Sequence, residues 1–157
     1  MTVRAATPAD VPAIHALVAA FAAETGQSRW MRASEAGLHA ALFGPGASCG
    51  ALVAPGAAGL DGIALWFLTY HFWLGQAVLY LEDLFVAPGA RGRGIGEALM
   101  RGLAAEAVAR DCAWMDWQVL TDNRAAQRFY ARLGAEEQGE WRLWRLERAA
   151  LERLMRA

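Results

Sequence analysis

The chain has 157 residues, of which 56% are hydrophobic and 20% charged, and its formal net charge at pH 7 is −1. This composition is that of a globular protein with a core of its own, and it excludes a disordered chain. A charge balance so close to neutral gives no electrostatic footprint for nucleic acid.

The first half of the chain predicts a short strand, two helices and three longer strands. The first helix has a start signal in which Thr7 is the N-cap, Pro8 occupies the first turn and Asp10 is the acid of a capping box. Gly44 and Gly46 end the second helix. The predicted elements are a strand over 3–6, helices over 7–23 and 33–42, and strands over 48–54, 62–70 and 77–86.

An apolar stretch inside this half, 63–81, raises the question of a membrane span. Polar residues and Gly75 interrupt it, so two buried strands joined by a turn explain it better. The N-terminal residues include Arg4 and Asp10 and do not form a secretory signal. Cys49 and Cys112 have neither metal-ligand nor CxxC spacing. We therefore expect a cytoplasmic protein with free thiols, no metal site and no membrane contact.

The second half alternates helices and strands. Gly134 supplies the glycine that commonly follows a helix C-terminus. The predicted elements are helices over 95–110, 123–133 and 147–155 and strands over 113–120 and 141–146. No repeat or linker appears, so the order predicts one mixed α/β domain over residues 1–157, with helices on both faces of the sheet.

A glycine-rich and arginine-rich turn joins the strand over 77–86 to the helix that begins at Ile95. It reads Arg91-Gly92-Arg93-Gly94-Ile95-Gly96. Unpaired N–H groups and the helix dipole favour an anion at a helix N-terminus, and glycine allows positive φ and a close approach of the ligand. The turn therefore predicts a site for a phosphorylated cofactor.

Three phosphate-binding loops, and a tight turn without a ligand, compete for this stretch. A Walker A loop requires lysine, and all 15 basic residues of the chain are arginine. The dinucleotide fingerprint G-x-G-x-x-G requires glycine where the chain has Glu97. The acetyl-CoA loop of the GNAT acetyltransferases, Gln/Arg-x-x-Gly-x-Gly/Ala, matches at every specified position.

Other motifs, together with the order of elements, make essentially the whole chain resemble the GNAT superfamily of N-acetyltransferases. Within it, the chain looks like the diamine (spermidine/spermine) branch. The resemblance implies a central, mostly antiparallel sheet with splayed parallel strands and helices on both faces, and acetyl-CoA as the cosubstrate. The motifs that carry it are 67–70, 73–75, 79–83, Asn123, 129–130, 133–135 and 140–142.

The resemblance also implies roles for individual residues. Tyr130 would protonate the departing thiolate, and Glu82 would receive the proton of the acceptor ammonium directly or through water. A bulge in the strand over 77–86 would open a gap in which the pantetheine arm pairs with the backbone. The cofactor-binding residues would be Leu84, Phe85, Val86, Arg91, Gly92, Arg93, Gly94, Ile95, Gly96, Glu97, Asn123, Arg124 and Ala126.

Several residues are candidates for holding a cationic acceptor. Glu82 and Asp83 are adjacent acids, which strand alternation places on opposite faces, and a buried acid without partners is costly. Glu24 lies near the end of the first predicted helix, Trp73 offers a cation–π surface, and Asp116 adds a further acid. The branch has an acid at the place of His71 and histidine at the place of Asp116, which leaves acetyl transfer intact and polyamine specificity open.

These features predict an acetyl-CoA-dependent N-acetyltransferase that acts on the primary amine of a small cationic acceptor, either a diamine or polyamine or a lysine-like amino acid. Attack would be direct, in a ternary complex, because no cysteine stands beside a base motif. A homodimer is implied by the resemblance, with the apolar C-terminal region as its surface. The alternatives are acetylation of a peptide or protein amine, and a non-catalytic sensor that binds acyl-CoA.

Overall fold

The computed structural model describes residues 2–140 and 142–156 and divides the chain into two compact units, Met1–Gln118 and Val119–Ala157. The assignment of a single domain stays a prediction. The first unit contains β1 Arg4–Ala5, α1 Val11–Glu24, α2 Glu35–Phe43, β2 Cys49–Gly56, β3 Gly59–His71, β4 Gln76–Val86, α3 Ile95–Ala109 and β5 Met115–Asp116. The second unit contains α4 Arg124–Arg132 and α5 Arg148–Leu154.

The first unit is built on a five-stranded sheet in the order β1-β2-β3-β4-β5. The pairs from β1 to β4 are antiparallel, and β5 is parallel to β4. The parallel pairing extends over only two positions, Leu79 with Met115 and Tyr80 with Asp116. The predicted mixed and mostly antiparallel sheet is confirmed.

Helices cover both faces of this sheet. On one face, α1 contributes Ile14 to a buried cluster with Ala51, Val53, Ile63 and Phe85. On the other face, α3 packs closely against the sheet: a Cβ at Gly62 would lie 3.1 Å from a methyl carbon of Ile95 and 3.2 Å from one of Leu99, which is tighter than most Cβ contacts. A Cβ at Gly102 would lie 2.8 Å from Leu52. The prediction of helices on both faces is therefore confirmed.

The start of α1 shows how local sequence fixes an element. The Asp10 carboxylate accepts hydrogen bonds from the Thr7 N–H at 2.7 Å and the Thr7 hydroxyl at 2.8 Å, and Arg4 pairs with it at 2.7 Å. A single 3₁₀ turn, Pro8–Asp10, precedes the α-helix. The Arg4 guanidinium is the main cause that holds the pKa of Asp10 far below its usual range.

Two predicted strands differ from the structure. The strand predicted over 113–120 is reduced to Met115–Asp116. The strand predicted over 141–146 is wrong for residues 142–146, which form no strand, and Trp141 lies outside the described residues. A strand needs a partner edge, and the described part of the second unit contains helices only. Leu143 and Trp144 are exposed there.

Two further expectations concern membranes and metals. Among residues 2–140 and 142–156, no helix has both the length and the apolar character required to cross a membrane. The same residues contain no group of three or more His, Cys, Asp or Glu side chains arranged to hold a metal ion.

Candidate active site

The turn between β4 and α3 presents an uncapped helix N-terminus. Gly94 is the N-cap of α3 with φ +78°, and no side chain in the described part of the chain caps the first turn of the helix. Gly92 also has positive φ, +74°. A Cβ at either glycine would meet nothing within 4 Å, so the backbone conformation, not crowding, requires glycine there. Helix N-termini whose N–H groups have no side-chain cap suit a diphosphate.

Acidic partners already hold both arginines of this turn. Arg91 pairs with Glu24 at 2.6 Å and donates its Nε–H to the carbonyl oxygen of Val86 at 3.0 Å. Arg93 pairs with Asp61 at 3.1 Å. The side chains of Arg91, Glu24 and Arg93 are about half exposed, and exposed ion pairs are weak, so a phosphate can replace the carboxylates.

A β-bulge interrupts β4 at Glu82. Leu65 of β3 is opposite Asp83 and Trp66 is opposite Leu81, so Glu82 has no partner in the register. Residues directly opposite in an antiparallel pair share a face. Asp83 therefore lies on the α1 face with Leu65, which packs against the buried cluster, while Leu81 lies on the α3 face with Trp66. Regular strand alternation, which would put Asp83 on the same face as Leu81, is therefore wrong at this bulge.

The α1 face of β4 and β5 carries a group of acidic and phenolic side chains. Burial, and then the charge of Glu82, raise the pKa of Asp83 to about 6. Burial followed by the charges of Glu82 and Asp116 raises the pKa of Tyr80. Glu82 is exposed and Asp83 is half-buried. The structure thus brings together Glu82 and Asp83, which sequence analysis singled out, with Tyr80, which it did not.

The edge of β4 beyond the bulge is open. The parallel partner β5 ends its pairing at Tyr80, and the described chain has no strand beside residues 81–86 on the side away from β3. The backbone of Leu84, Phe85 and Val86 therefore borders a gap in the sheet. Sequence analysis expected the pantetheine arm to pair with this backbone like an added strand, and that pairing stays a prediction.

Aromatic side chains surround the turn between β3 and β4. The ring of His71 lies 5.8 Å from Trp73 and 5.2 Å from Trp114, measured between centroids. The Trp114 Nε1–H donates to a carboxylate oxygen of Asp116 at 2.9 Å. Trp73 is 87% exposed. Trp73 and Asp116, both predicted to bind the acceptor amine, are therefore connected by contacts through His71 and Trp114. Sequence analysis did not identify Trp114.

The second unit positions the remaining predicted residues on α4. The Asn123 side chain caps this helix by accepting a hydrogen bond from the Ala126 N–H at 3.0 Å, and Arg124 contacts Gln127. Tyr130 lies in the last full turn, and burial raises its pKa to about 12. Gly134 follows the helix with φ +88°, which confirms the predicted C-terminal glycine.

Comparison with known proteins agrees with this geometry. Residues 18–135 match the profile of the acetyltransferase (GNAT) family. The chain belongs to the GNAT acetyltransferase family. It is similar to thialysine N-epsilon-acetyltransferase of Mus musculus, with 35% identity over 113 residues covering 70% of this chain and 62% of that protein.

Two further similarities extend this result. Spermidine/spermine N(1)-acetyltransferase-like protein 1 of Homo sapiens is 36% identical over 94 residues, covering 57% of this chain and 13% of that protein. The resemblance to the GNAT superfamily and its diamine branch is thus confirmed. An integron cassette protein of V. cholerae has the same fold, with a TM-score of 0.80, 25% identity and coverage of 99% of this chain and 98% of that chain. The chain spans less than two thirds of the length of these curated relatives.

Proposed function

We propose that this chain is an acetyl-CoA-dependent N-acetyltransferase whose acceptor is a small cation with a primary amine. The observation that carries the proposal is the bulged β4. Two adjacent carboxylates, Glu82 and Asp83, lie at this bulge. The turn that follows β4 contains glycines with positive φ and leads into the uncapped N-terminus of α3. The family, and relatives named for thialysine and for spermidine/spermine, support it.

The glycine-rich turn and the open edge of β4 are the proposed acetyl-CoA site. The N–H groups from Gly92 to Glu97 would bind the pyrophosphate, with Arg91 and Arg93 exchanging their carboxylate partners for phosphate. The backbone from Leu84 to Val86 would hydrogen-bond the pantetheine arm. When bound, acetyl-CoA supplies a thioester that an amine can attack. Family resemblance adds Asn123, Arg124 and Ala126 to the cofactor contacts.

The reaction requires removal of a proton, because an alkylamine with a pKa near 10, by analogy with lysine, is mostly ammonium at neutral pH. The exposed Glu82 attracts the cation and takes its proton directly or through water. An N–H of Leu84 or Phe85 would donate to the developing oxyanion. Tyr130 would donate its hydroxyl proton toward the sulfur as the thiolate leaves.

The acceptor class follows from charge and aromatic surface. Asp83 lies on the α1 face, and the exposed Glu82 is adjacent to it in the chain. Trp114 donates to Asp116, and Trp73 is connected to Trp114 through the ring of His71. Such a combination suits an alkylammonium, through ion pairing and cation–π contact. We therefore favour a diamine, a polyamine or a lysine-like amino acid.

We further propose that the protein works in the cytoplasm as a homodimer. The homodimer would form through the apolar C-terminal residues, of which Trp144 and Met155 are exposed.

The test is acetyl-CoA-dependent thiol release with a panel of amines: putrescine, spermidine, lysine, thialysine, an aminoglycoside and a lysine peptide. Turnover with the small cations supports the proposal, and preference for the peptide supports a peptide acetyltransferase. Saturable acetyl-CoA binding with no thiol release from any amine would favour a sensor. The variant Glu82→Gln should raise KM for the cation and lower kcat/KM, whereas Glu35→Gln, which removes the same charge at the start of α2, should leave both unchanged.

A further inference from the structure

The β-bulge at Glu82 decides where Asp83 lies. Without the extra residue, Asp83 would share the α3 face with Leu81, which is 2% exposed in the core. With the bulge, Asp83 is opposite Leu65 on the α1 face, where it is half-buried. The bulge thus turns the acidic side chain of Asp83 away from the core beneath α3.

Among the residues that the structure describes, Asp83 has no partner that would fix its charge. Within residues 2–140 and 142–156 its carboxylate takes part in no hydrogen bond and no ion pair. The arginines of the neighbouring turn are used elsewhere, Arg91 by Glu24 and Arg93 by Asp61. An isolated carboxylate in an apolar setting binds a proton more readily than one in water.

The titratable groups on the surrounding elements do not change this balance. On β4 they are Tyr80 and Glu82, and the negative charge of Glu82 disfavours ionisation of Asp83. On α1 they are His15, whose ring nitrogen lies 3.0 Å from the carbonyl oxygen of Ala33, and Glu24, which Arg91 neutralises. On β5, Asp116 accepts from Trp114. Burial and Glu82 together raise the pKa of Asp83 to about 6, close to the value that suits a proton acceptor at neutral pH.

We propose that Asp83 is the group on which the proton of the acceptor ammonium comes to rest, and that the exposed Glu82 attracts the cation and passes the proton inward. The inference rests on the proposed acetyl transfer and assigns Asp83 a second task beside acceptor binding. Of the two protons that the nitrogen loses, one reaches Asp83 and then solvent. The other ends on sulfur as the N–C bond forms and the C–S bond breaks.

The two adjacent acids are then expected to behave differently. Asp83→Asn removes the proton acceptor, so kcat should fall about 100-fold or more and the acidic limb of the kcat/KM profile near pH 6 should disappear. Glu82→Gln removes the neighbouring negative charge, so the same limb should persist and move to lower pH, while KM for the cation rises. Acetyl-CoA affinity should be unchanged in Asp83→Asn.

A readout independent of turnover is the ¹³C carboxyl titration of aspartate-labelled protein without ligands. Wild type should show one aspartate that titrates near pH 6, which is lost in Asp83→Asn and moves to lower pH in Glu82→Gln. The matched control is Asp111→Asn, since Asp111 lies in the turn after α3 at φ +53°, a conformation that asparagine also adopts. It should keep both the titration and the rate.

The proposal is overturned if Asp83→Asn, folded by circular dichroism, keeps wild-type kcat and the limb near pH 6. It is also overturned if Glu82→Gln abolishes that limb while Asp83→Asn retains it. Failure of the proposed function is a different result. In that case wild type releases no thiol with any amine, yet its aspartate still titrates near pH 6.

Discussion

Arg91 and Glu24 form an ion pair of 2.6 Å that joins the glycine-rich turn to the C-terminal end of α1. The guanidinium also lies 5.6 Å from the ring centroid of Phe85, which in turn lies 5.3 Å from the ring of Phe21 on α1. One arginine thus connects the glycine-rich turn, the end of β4 and the first helix. The carboxylate that holds it competes with any phosphate that the turn binds.

Glu24→Gln is therefore expected to raise the affinity for acetyl-CoA. Release of Arg91 from an exposed ion pair is worth up to about 1 kcal/mol, or up to about fivefold in Kd at low salt, and the gain should shrink as salt screens it. Isothermal titration calorimetry at two salt concentrations measures this effect. Glu35→Gln is the control for removal of one negative charge, and weaker binding in Glu24→Gln would contradict the prediction.

The same variant tests the predicted contact between Glu24 and the acceptor. If Glu24 also binds the cation, KM for the amine should rise in Glu24→Gln while acetyl-CoA binds more tightly. An unchanged KM would leave Glu24 as the partner of Arg91 alone. The two effects have opposite signs, so one set of steady-state measurements separates them.

The sequence predicted best those features that local chemistry fixes. The start of α1 is fixed by Thr7 and Asp10, and the start of α3 by glycine, which alone adopts the φ of +78° at Gly94 without strain. Such contacts join residues a few positions apart, so their residue types are visible in the sequence. The glycine-rich turn and the order of helices and strands along the first unit were predicted for this reason.

The features that were missed depend on partners distant in the sequence. The bulge at Glu82 exists only in the register between β3 and β4, and regular alternation gave the wrong face for Asp83. The ion pair of Arg91 joins residues 67 positions apart. Residues 141–146 include types that are common in β-strands, which is why a strand was expected there. An apolar pattern does not show whether the edge of another strand lies alongside to pair with it.

Gly94→Ala tests the conformation of the glycine-rich turn. An L side chain at φ +78° costs about 1–2 kcal/mol, so the protein should unfold at lower temperature, or the turn should shift and acetyl-CoA should bind more weakly. Gly89→Ala is the matched control, because its φ lies outside the left-handed region and an added Cβ meets nothing within 4 Å. Thermal unfolding and calorimetric titration measure both effects, and equal behaviour of the two variants would show that the turn does not require the left-handed conformation.

Asp10→Asn tests the cap of the first helix. Arg4 and the N–H of Thr7 lower the pKa of Asp10, so its stabilisation is fully present above the unfolded pKa near 4 and is lost as the pH falls below that value. The variant should unfold about 1–2 kcal/mol more easily at pH 7. That difference should narrow at pH 2, as urea unfolding at the two pH values would show. A constant difference would mean that the ionised carboxylate is not the stabilising form.

Tyr130→Phe tests the group proposed to assist the leaving sulfur. Burial raises the pKa of Tyr130 to about 12, which is above that of a thiol at about 8.5, so complete transfer of the phenolic proton to a thiolate is uphill. We expect the hydroxyl to act as a hydrogen-bond donor to sulfur, and its loss should lower kcat about 10- to 100-fold with nearly unchanged acetyl-CoA affinity. The kcat profile of wild type should then show no basic limb from Tyr130 below pH 10. A variant with normal kcat and weak acetyl-CoA binding would instead assign Tyr130 to the cofactor site.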